Sequence, residues 1–166
     1  MAATGTPSFS SRALDEPTAP DWADVVLETL PVGEAEPFGG PADWAYEIFR
    51  VASTPVAVQV LLAMRQLLVP LIGVSRRDAR ETFVVVDVVG DEALIVARDR
   101  HLDFRCGVGV DVDARLLRVT TAVWFHGWRG RVYFVPVRLL HDPVTRSMMR
   151  RAIRHALQDG SALTRA

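Results

Sequence analysis

Residues able to exchange protons or to bind anions alternate with apolar residues between His101 and Arg105. In a β-strand this alternation places His101, Asp103 and Arg105 on one face, with Leu102 and Phe104 on the other. An aspartate beside a histidine holds the imidazole in one tautomer, so that the histidine can act as a general acid or base. The arginine would bind a carboxylate or an enolate of the substrate.

A second strand, predicted to pair with this one through a tight turn, places His101 opposite Trp124 and brings His126 close to the same face. The predicted catalytic residues are therefore His101, Asp103, Arg105 and His126. The competing interpretation is an Asp–Arg–His network that caps a sheet edge or an interface, because structural ion pairs are more common than catalytic ones. Two histidines and an aspartate could also form a facial metal triad, but nothing in the sequence fixes the position of the third ligand. We therefore expect neither a metal nor a cofactor.

The apolar face of this hairpin, with two nearby tryptophans, predicts either a filled core or the wall of a ligand cavity. The candidate ligand-binding residues are Phe104, Val119, Val123, Trp124, Phe125, Trp128 and Met148. A methionine in such a wall adapts to its ligand because the side chain is flexible. Cys106 lies on this face without a basic partner, so we expect a buried and unreactive thiol.

Changes in hydrophobic periodicity delimit the elements that must position these residues. We predict a strand at 24–30, helices at 41–52 and 55–73, hairpins at 82–88 with 93–97 and at 101–110 with 115–126, and a last helix after 127. The apolar stripe of the last helix includes Val135 and Leu139. Pro136 and Pro143 are expected to kink or divide this helix, and His141 is expected to mark a break in it.

These elements predict an α+β protein, because a sheet with one apolar face must be covered and the last helix is the only long amphipathic element left. The expected architecture is the helix grip: a curved antiparallel sheet packed around a long C-terminal helix, with two short helices after the first strand. We expect a single domain at residues 22–158, a disordered N-terminal tail at 1–21 and a C-terminal tail at 159–166.

The composition suits one globular domain and limits its partners. The chain has 166 residues, of which 49% are hydrophobic, and its net charge of −1 gives no indication of nucleic-acid binding. All the basic residues are arginines, which excludes Schiff-base chemistry on a lysine.

The longest apolar run, residues 56–74, contains Gln59, Arg65 and Pro70, so we expect no membrane helix. One cysteine excludes an internal disulfide, and we expect a cytoplasmic protein.

Several segments together resemble a bacterial family catalogued as domain of unknown function 2867. They are Pro41–Trp44 with Phe49, Leu62–Arg65, Pro70–Gly73, Asp99–Arg105, Tyr133–Pro136, His141 and Ser147–Arg150, and the likeness covers roughly residues 22–158. The family is similar to the START-like or polyketide-cyclase (SRPBCC) superfamily, whose helix-grip members enclose a cavity for apolar small molecules. The domain also occurs fused behind short-chain-reductase-like, NAD(P)-binding domains, whereas this chain has no Gly-rich nucleotide loop.

The resemblance implies a domain that binds an apolar or aromatic small molecule. If the protein is an enzyme, it would be a cyclase, isomerase or dehydratase that uses general acid–base catalysis. The alternative is a non-catalytic accessory module that docks on a reductase-like protein or forms a homodimer. The two functions predict different surroundings for the His101–Arg105 row: it opens into a cavity in the first, and lies on an outer surface of the sheet in the second.

Overall fold

The computed structural model describes residues 11–31, 39–50, 85–98 and 101–163, and side chains of the last helix as far as 158. Its elements, in chain order, are a 3₁₀ turn (Arg12–Leu14), β1 (Trp22–Thr29), α1 (Pro41–Phe49), β2 (Val85–Val89), β3 (Glu92–Arg98), β4 (Leu102–Asp111), β5 (Leu116–Phe125) and α2 (Trp128–Leu163). The predicted helix at 55–73 lies outside the described residues.

The five strands form one antiparallel sheet in the order β1-β5-β4-β3-β2. The turn between β2 and β3 contains Gly90, whose positive φ of 60° favours glycine. In the turn between β4 and β5, Asp111 Oδ1 accepts a hydrogen bond from the amide of Ala114 at 2.7 Å. Both hairpins were predicted from the alternation of apolar residues, and both are confirmed.

One face of the sheet packs against α1 and α2 and forms the core. Its buried side chains alternate along the strands and meet an apolar surface on each helix. The core residues include Val26, Trp44, Ile48, Ile95, Cys106, Val108, Leu117, Val119, Met149, Ala152 and Ile153. The predicted α+β architecture, in which a curved antiparallel sheet is covered by the long C-terminal helix, is therefore confirmed. We call this the inner face of the sheet and its opposite the outer face.

Helix α2 differs from the prediction in its continuity and in the side that it buries. Pro136 and Pro143 lie inside one uninterrupted helix that continues to Leu163, beyond the predicted domain end at 158. Val135 and Leu139 are exposed, because the helix is rotated to bury Phe134, Thr145 and Met149 instead. Pro143 is exposed and Pro136 is partly exposed, and the helix continues through both although each lacks the N–H donor of an intrahelical hydrogen bond.

Residues 11–20 cross the outer face of the sheet, and we call them the strap. Ser11 Oγ donates a 2.6 Å hydrogen bond to Oε1 of the buried Glu92, and the amide of Arg12 donates to Oε2 at 3.1 Å. Further along, Trp124 Nε1 donates to the carbonyl oxygen of Thr18 at 2.9 Å. The prediction of a disordered tail at 1–21 is thus wrong from residue 11 onward. The segment is polar, but its polar groups find partners on the sheet, and residues 1–10 lie outside the described residues.

Two glycines of β4 make room for charged side chains on the outer face. A Cβ atom at Gly107 would overlap the Glu92 carboxylate, and one at Gly109 would lie 2.7 Å from Arg118 Nη2. These two charged side chains form an ion pair at 3.5 Å, both largely shielded from solvent. The outer face is therefore a second, polar layer, built from the sheet and the strap.

None of the helices that the described residues form combines the length and the apolar character needed to cross a bilayer.

Candidate functional site

A pocket of about 160 Å³ opens on the outer face, between the strap and the adjacent ends of β3, β4 and β5. Its lining residues are Glu16, Thr18, Val96, Arg98, Asp103, Arg105, Trp124 and His126. Three of the four predicted catalytic residues line this pocket, as does one of the predicted ligand-binding residues, Trp124. The predicted row therefore borders a concavity on the outer face, away from the helices.

The antiparallel register of three strands brings these side chains together. Arg98 of β3 pairs with Asp103 of β4, and Asp103 pairs in turn with Trp124 of β5. Directly paired residues of antiparallel strands project to the same face, so the three side chains form one row across the sheet. Val96 and Arg105 start the next row. Alternation along each strand keeps both rows on the outer face.

His126 and Asp103 form the acid–base pair of the pocket. The Nε2 atom of the histidine lies 3.2 Å from the aspartate Oδ1, and both side chains are partly exposed. An aspartate in this position orients the imidazole and leaves its other nitrogen available to a ligand. The pair can therefore transfer a proton to or from a molecule held in the pocket.

His101 does not take the place that the sequence predicted for it beside Asp103. Asp111 pairs with Leu116, so the connecting loop holds four residues, two more than the shortest hairpin turn, and Asp103 rather than His101 lies opposite Trp124. The carbonyl oxygen of His101 accepts a hydrogen bond from the amide of His126 at 2.8 Å.

The side chain of His101 lies apart from the pocket lining. Its Nε2 atom is buried and has no hydrogen-bond partner. Its backbone lies so close to Gly130 of α2 that a Cβ atom there would overlap the His101 carbonyl oxygen. The structure thus places this residue where β4 begins, beside the first turn of α2.

Arg105 already holds a carboxylate, which comes from the strap. Its Nη1 atom forms an ion pair with Glu16 and donates to the carbonyl oxygen of Asp15 at 3.2 Å. The arginine side chain is only 13% exposed, and its Nε atom is buried without a hydrogen-bond partner. The sequence predicted that this arginine would bind a carboxylate, and the structure shows an internal one bound to it.

The predicted ligand-binding residues are divided between the two faces. Five lie on the inner face, where they belong to the core, pack against it or, for Phe125, contact the ring of Phe134. They are Phe104, Val119, Val123, Phe125 and Met148. Trp124 alone lines the outer pocket. Trp128 is 70% exposed at the start of α2, with the Arg129 guanidinium 5.7 Å from the centroid of its ring.

Four pocket residues were missed by the sequence analysis: Glu16, Thr18, Val96 and Arg98. The two strand residues carried a usable signal, because alternation along β3 puts them on the face that carries Asp103. The two strap residues carried none, since they contact β4 and β5 from about 90 and 106 positions away in the sequence.

A second His–Asp pair lies on the inner face and joins α2 to β1. The Nδ1 atom of His141 lies 3.1 Å from Asp24 Oδ2, and the imidazole packs edge-on against Trp22 with ring centroids 4.9 Å apart. Burial lowers the pKa of His141 below its ordinary value, and the hydrogen bond to Asp24 opposes this shift. His141 therefore does not mark a break in the helix; it ties the helix to the edge of the sheet.

The single cysteine offers no nucleophile. Cys106 is 1% exposed, and burial raises the pKa of its thiol to about 12. A thiol that stays protonated is unreactive at neutral pH. Within the parts of the chain that the structure describes, no three or more His, Cys, Asp or Glu side chains are grouped so as to hold a metal ion.

Comparison with known proteins identifies a family. No curated protein and no solved structure matches the chain. The model of the family described as "Protein of unknown function (DUF2867)" matches residues 34–148. This range contains all the pocket residues that the sheet supplies, whereas Glu16 and Thr18 of the strap precede it. Since the match spans more than half of the sequence, the chain belongs to this family.

Proposed function

We propose that this protein binds a small aromatic molecule in the outer-face pocket. The observation that carries the proposal is the convergence of an indole ring, two arginines and a His–Asp pair around one cavity. Binding sites of this kind combine an apolar wall with a few polar groups that orient the ligand. The cavity of about 160 Å³ is smaller than the pockets that enclose drug-sized ligands, so its size favours a ligand with a single ring.

Trp124 supplies the apolar wall. Its indole N–H donates to the carbonyl oxygen of Thr18, which fixes the ring at the edge of the pocket. An indole held in this way presents a rigid surface on which another ring can stack. The inner face offers a poorer site, because Val119 and Val123 are almost fully buried among core side chains. The proposal therefore moves the expected ligand site from the inner to the outer face.

The enzymatic form of the proposal is a cyclase, isomerase or dehydratase of the polyketide-cyclase type, with His126 as general acid or base. Asp103 would orient the imidazole, and Arg98 would stabilise negative charge that develops on the ligand. This reaction class is taken from the resemblance to START-like proteins that the sequence suggests, and its site is moved here to the outer face. We propose a cytoplasmic ligand as well, in keeping with a sequence whose one cysteine excludes an internal disulfide.

Ligand-induced thermal shifts test the binding proposal. A panel of single-ring aromatic compounds should raise the melting temperature of the wild-type protein, because a ligand that binds only the native state stabilises it. Trp124→Ala should abolish the shift. Trp128→Ala removes an exposed indole outside the pocket and serves as the matched control, which should keep the shift. The proposal fails if no compound shifts the wild type, or if both variants respond alike.

One observation favours a second candidate function, that of an interaction module. The apolar residues Trp128, Val132, Val135 and Leu139 are all more than half exposed, and they follow one another at intervals of four, three and four along α2. This spacing allows two copies of a helix to interlock their side chains. The second candidate is therefore a homodimer formed through this surface of α2.

The mass of the protein in solution tests the second candidate. Light scattering after size-exclusion chromatography should give twice the chain mass for the wild type and the chain mass for Leu139→Glu. Val112→Glu places the same charge on an exposed residue of the β4–β5 turn and should leave the dimer intact. A wild type that is monomeric at high concentration rules the dimer out.

A further inference from the structure

Arg105 has no counter-charge directly opposite it on either neighbouring strand. Its direct partners on the neighbouring strands are Val96 and Ala122, neither of which is polar. A guanidinium that is largely removed from water needs an anion beside it to offset the loss of hydration. The strap supplies that anion through Glu16. The sheet therefore presents an anion-binding position, and the strap occupies it.

The strap is anchored on both sides of Glu16 and not at Glu16 alone. Before it, Ser11 and Arg12 bind the carboxylate of Glu92. After it, the carbonyl oxygen of Thr18 accepts from Trp124. The residues between these anchors are mostly exposed. Because both anchors are independent of Arg105, the Glu16 side chain can leave the arginine while the strap stays in place.

The contact between Glu16 and Arg105 leaves part of the guanidinium unused. Glu16 binds the Nη1 atom, whereas the buried Nε atom has no hydrogen-bond partner. A carboxylate that approaches along the Nε edge can accept two parallel hydrogen bonds, which is the stronger arrangement. A ligand carboxylate would thus satisfy a donor that the strap leaves unsatisfied.

The charges around the pocket favour an anionic ligand once Glu16 is displaced. The remaining charged groups of the lining are Arg98, Arg105, Asp103 and His126. These are two arginines against one aspartate, so the lining without Glu16 holds more cationic than anionic side chains. We propose that the physiological ligand is an aromatic carboxylic acid. Its carboxylate replaces Glu16 on Arg105, and its ring packs against Trp124.

This inference rests on the proposed binding function and adds the ligand's charge to it. Glu16 acts as an internal competitor, so removing its charge should strengthen the binding of an aromatic acid and leave the binding of a neutral analogue unchanged. Benzoate and benzamide are suitable probes, because both contain one ring of the same size and only the first carries a charge at neutral pH.

Titration calorimetry or NMR of the full chain measures the two affinities in each variant. We expect Glu16→Gln to bind benzoate about tenfold more tightly than the wild type, with little change for benzamide. Asp15→Asn removes an equal charge from the neighbouring position, whose side chain does not contact Arg105, and should leave both affinities unchanged. Arg105→Met keeps the apolar stem of the side chain and should abolish the preference for benzoate.

The possible outcomes separate the two proposals. If benzamide binds as well as benzoate in the wild type and in Glu16→Gln, the pocket binds aromatic molecules but the carboxylate inference is wrong. If neither compound binds either protein, the proposed binding function fails as well. If Asp15→Asn strengthens benzoate binding as much as Glu16→Gln does, the effect is one of overall charge and the competitor role of Glu16 is refuted. A melting curve of each variant confirms that it is folded, and the Glu16 series decides the question even if Arg105→Met does not fold.

Discussion

Two histidines of this protein pair with aspartates in different surroundings. The His126–Asp103 pair is partly exposed at a pocket, where a ligand can reach the imidazole. The His141–Asp24 pair lies between helix and sheet, and its imidazole is edge-on to Trp22. The first pair can exchange protons with a bound molecule, whereas the second affects the stability of the fold. At the residue scale, access to solvent distinguishes the two pairs more clearly than residue type does.

The pH dependence of stability should reveal the second pair. Burial lowers the pKa of His141 in the native state, so the unfolded chain takes up a proton first as the pH falls below about 6.5. The free energy of unfolding should therefore decrease below that pH, by at most about 1.4 kcal/mol per pH unit from this group. Urea denaturation between pH 5 and 8 measures the slope. His141→Gln should flatten it, and an unchanged slope in that variant would contradict the assignment.

Strand β4 shows how one element serves both faces of the sheet. Phe104, Cys106 and Val108 face the helices, while the glycines at 107 and 109 leave space on the outer face for Glu92 and Arg118. The element and its inner face were predictable from alternation alone. The register of β4 with β5 was not, because the added length of the turn shifts it by two residues without changing which face each residue occupies.

Substitution of the β4 glycines should have unequal effects. Gly107→Ala would push a methyl group into the carboxylate of Glu92, which Ser11 and Arg12 hold in place, and we expect a loss of about 1–3 kcal/mol. Gly109→Ala meets only the end of a flexible arginine side chain and should cost less. Thermal and urea unfolding of both variants measure the difference. Equal losses would show that the Glu92 carboxylate is free to move aside.

At the scale of the whole molecule, the strap joins parts of the described chain that lie far apart in the sequence. It could not be predicted from sequence, because a polar segment gives no periodic signal and its partners on the sheet lie about 80 to 106 residues away. The same limit applies to the candidate site. Asp103, Arg105, Trp124 and His126 were identifiable from their types and spacing, whereas Glu16 becomes a candidate only when the strap is seen to cross the outer face.

The anchoring of the strap can be tested through Ser11. Ser11→Ala removes the hydrogen bond to a carboxylate that is 3% exposed, and a buried acceptor that loses its donor costs about 1–3 kcal/mol. Thr18→Ala is the control, because Thr18 contributes its backbone carbonyl oxygen and not its hydroxyl to the contact with Trp124. The free energy of unfolding should fall in the first variant and stay nearly unchanged in the second. Equal stability of Ser11→Ala and the wild type would mean that the strap does not stabilise the fold.

The two prolines of α2 have a consequence for the shape of the whole molecule. Each removes the hydrogen bond to the carbonyl four residues earlier, at Val132 and at Leu139, and a helix bends away from the side on which its proline lies. Pro136 and Pro143 are seven residues apart, which is close to two helical turns, so their bends are in phase and add. At about 100° per residue both lie on the side opposite the buried Phe134, so their bends are expected to curve the helix toward the sheet. We expect such a bend to keep α2 on the curved sheet, because a straight helix of 36 residues would diverge from the sheet at its ends.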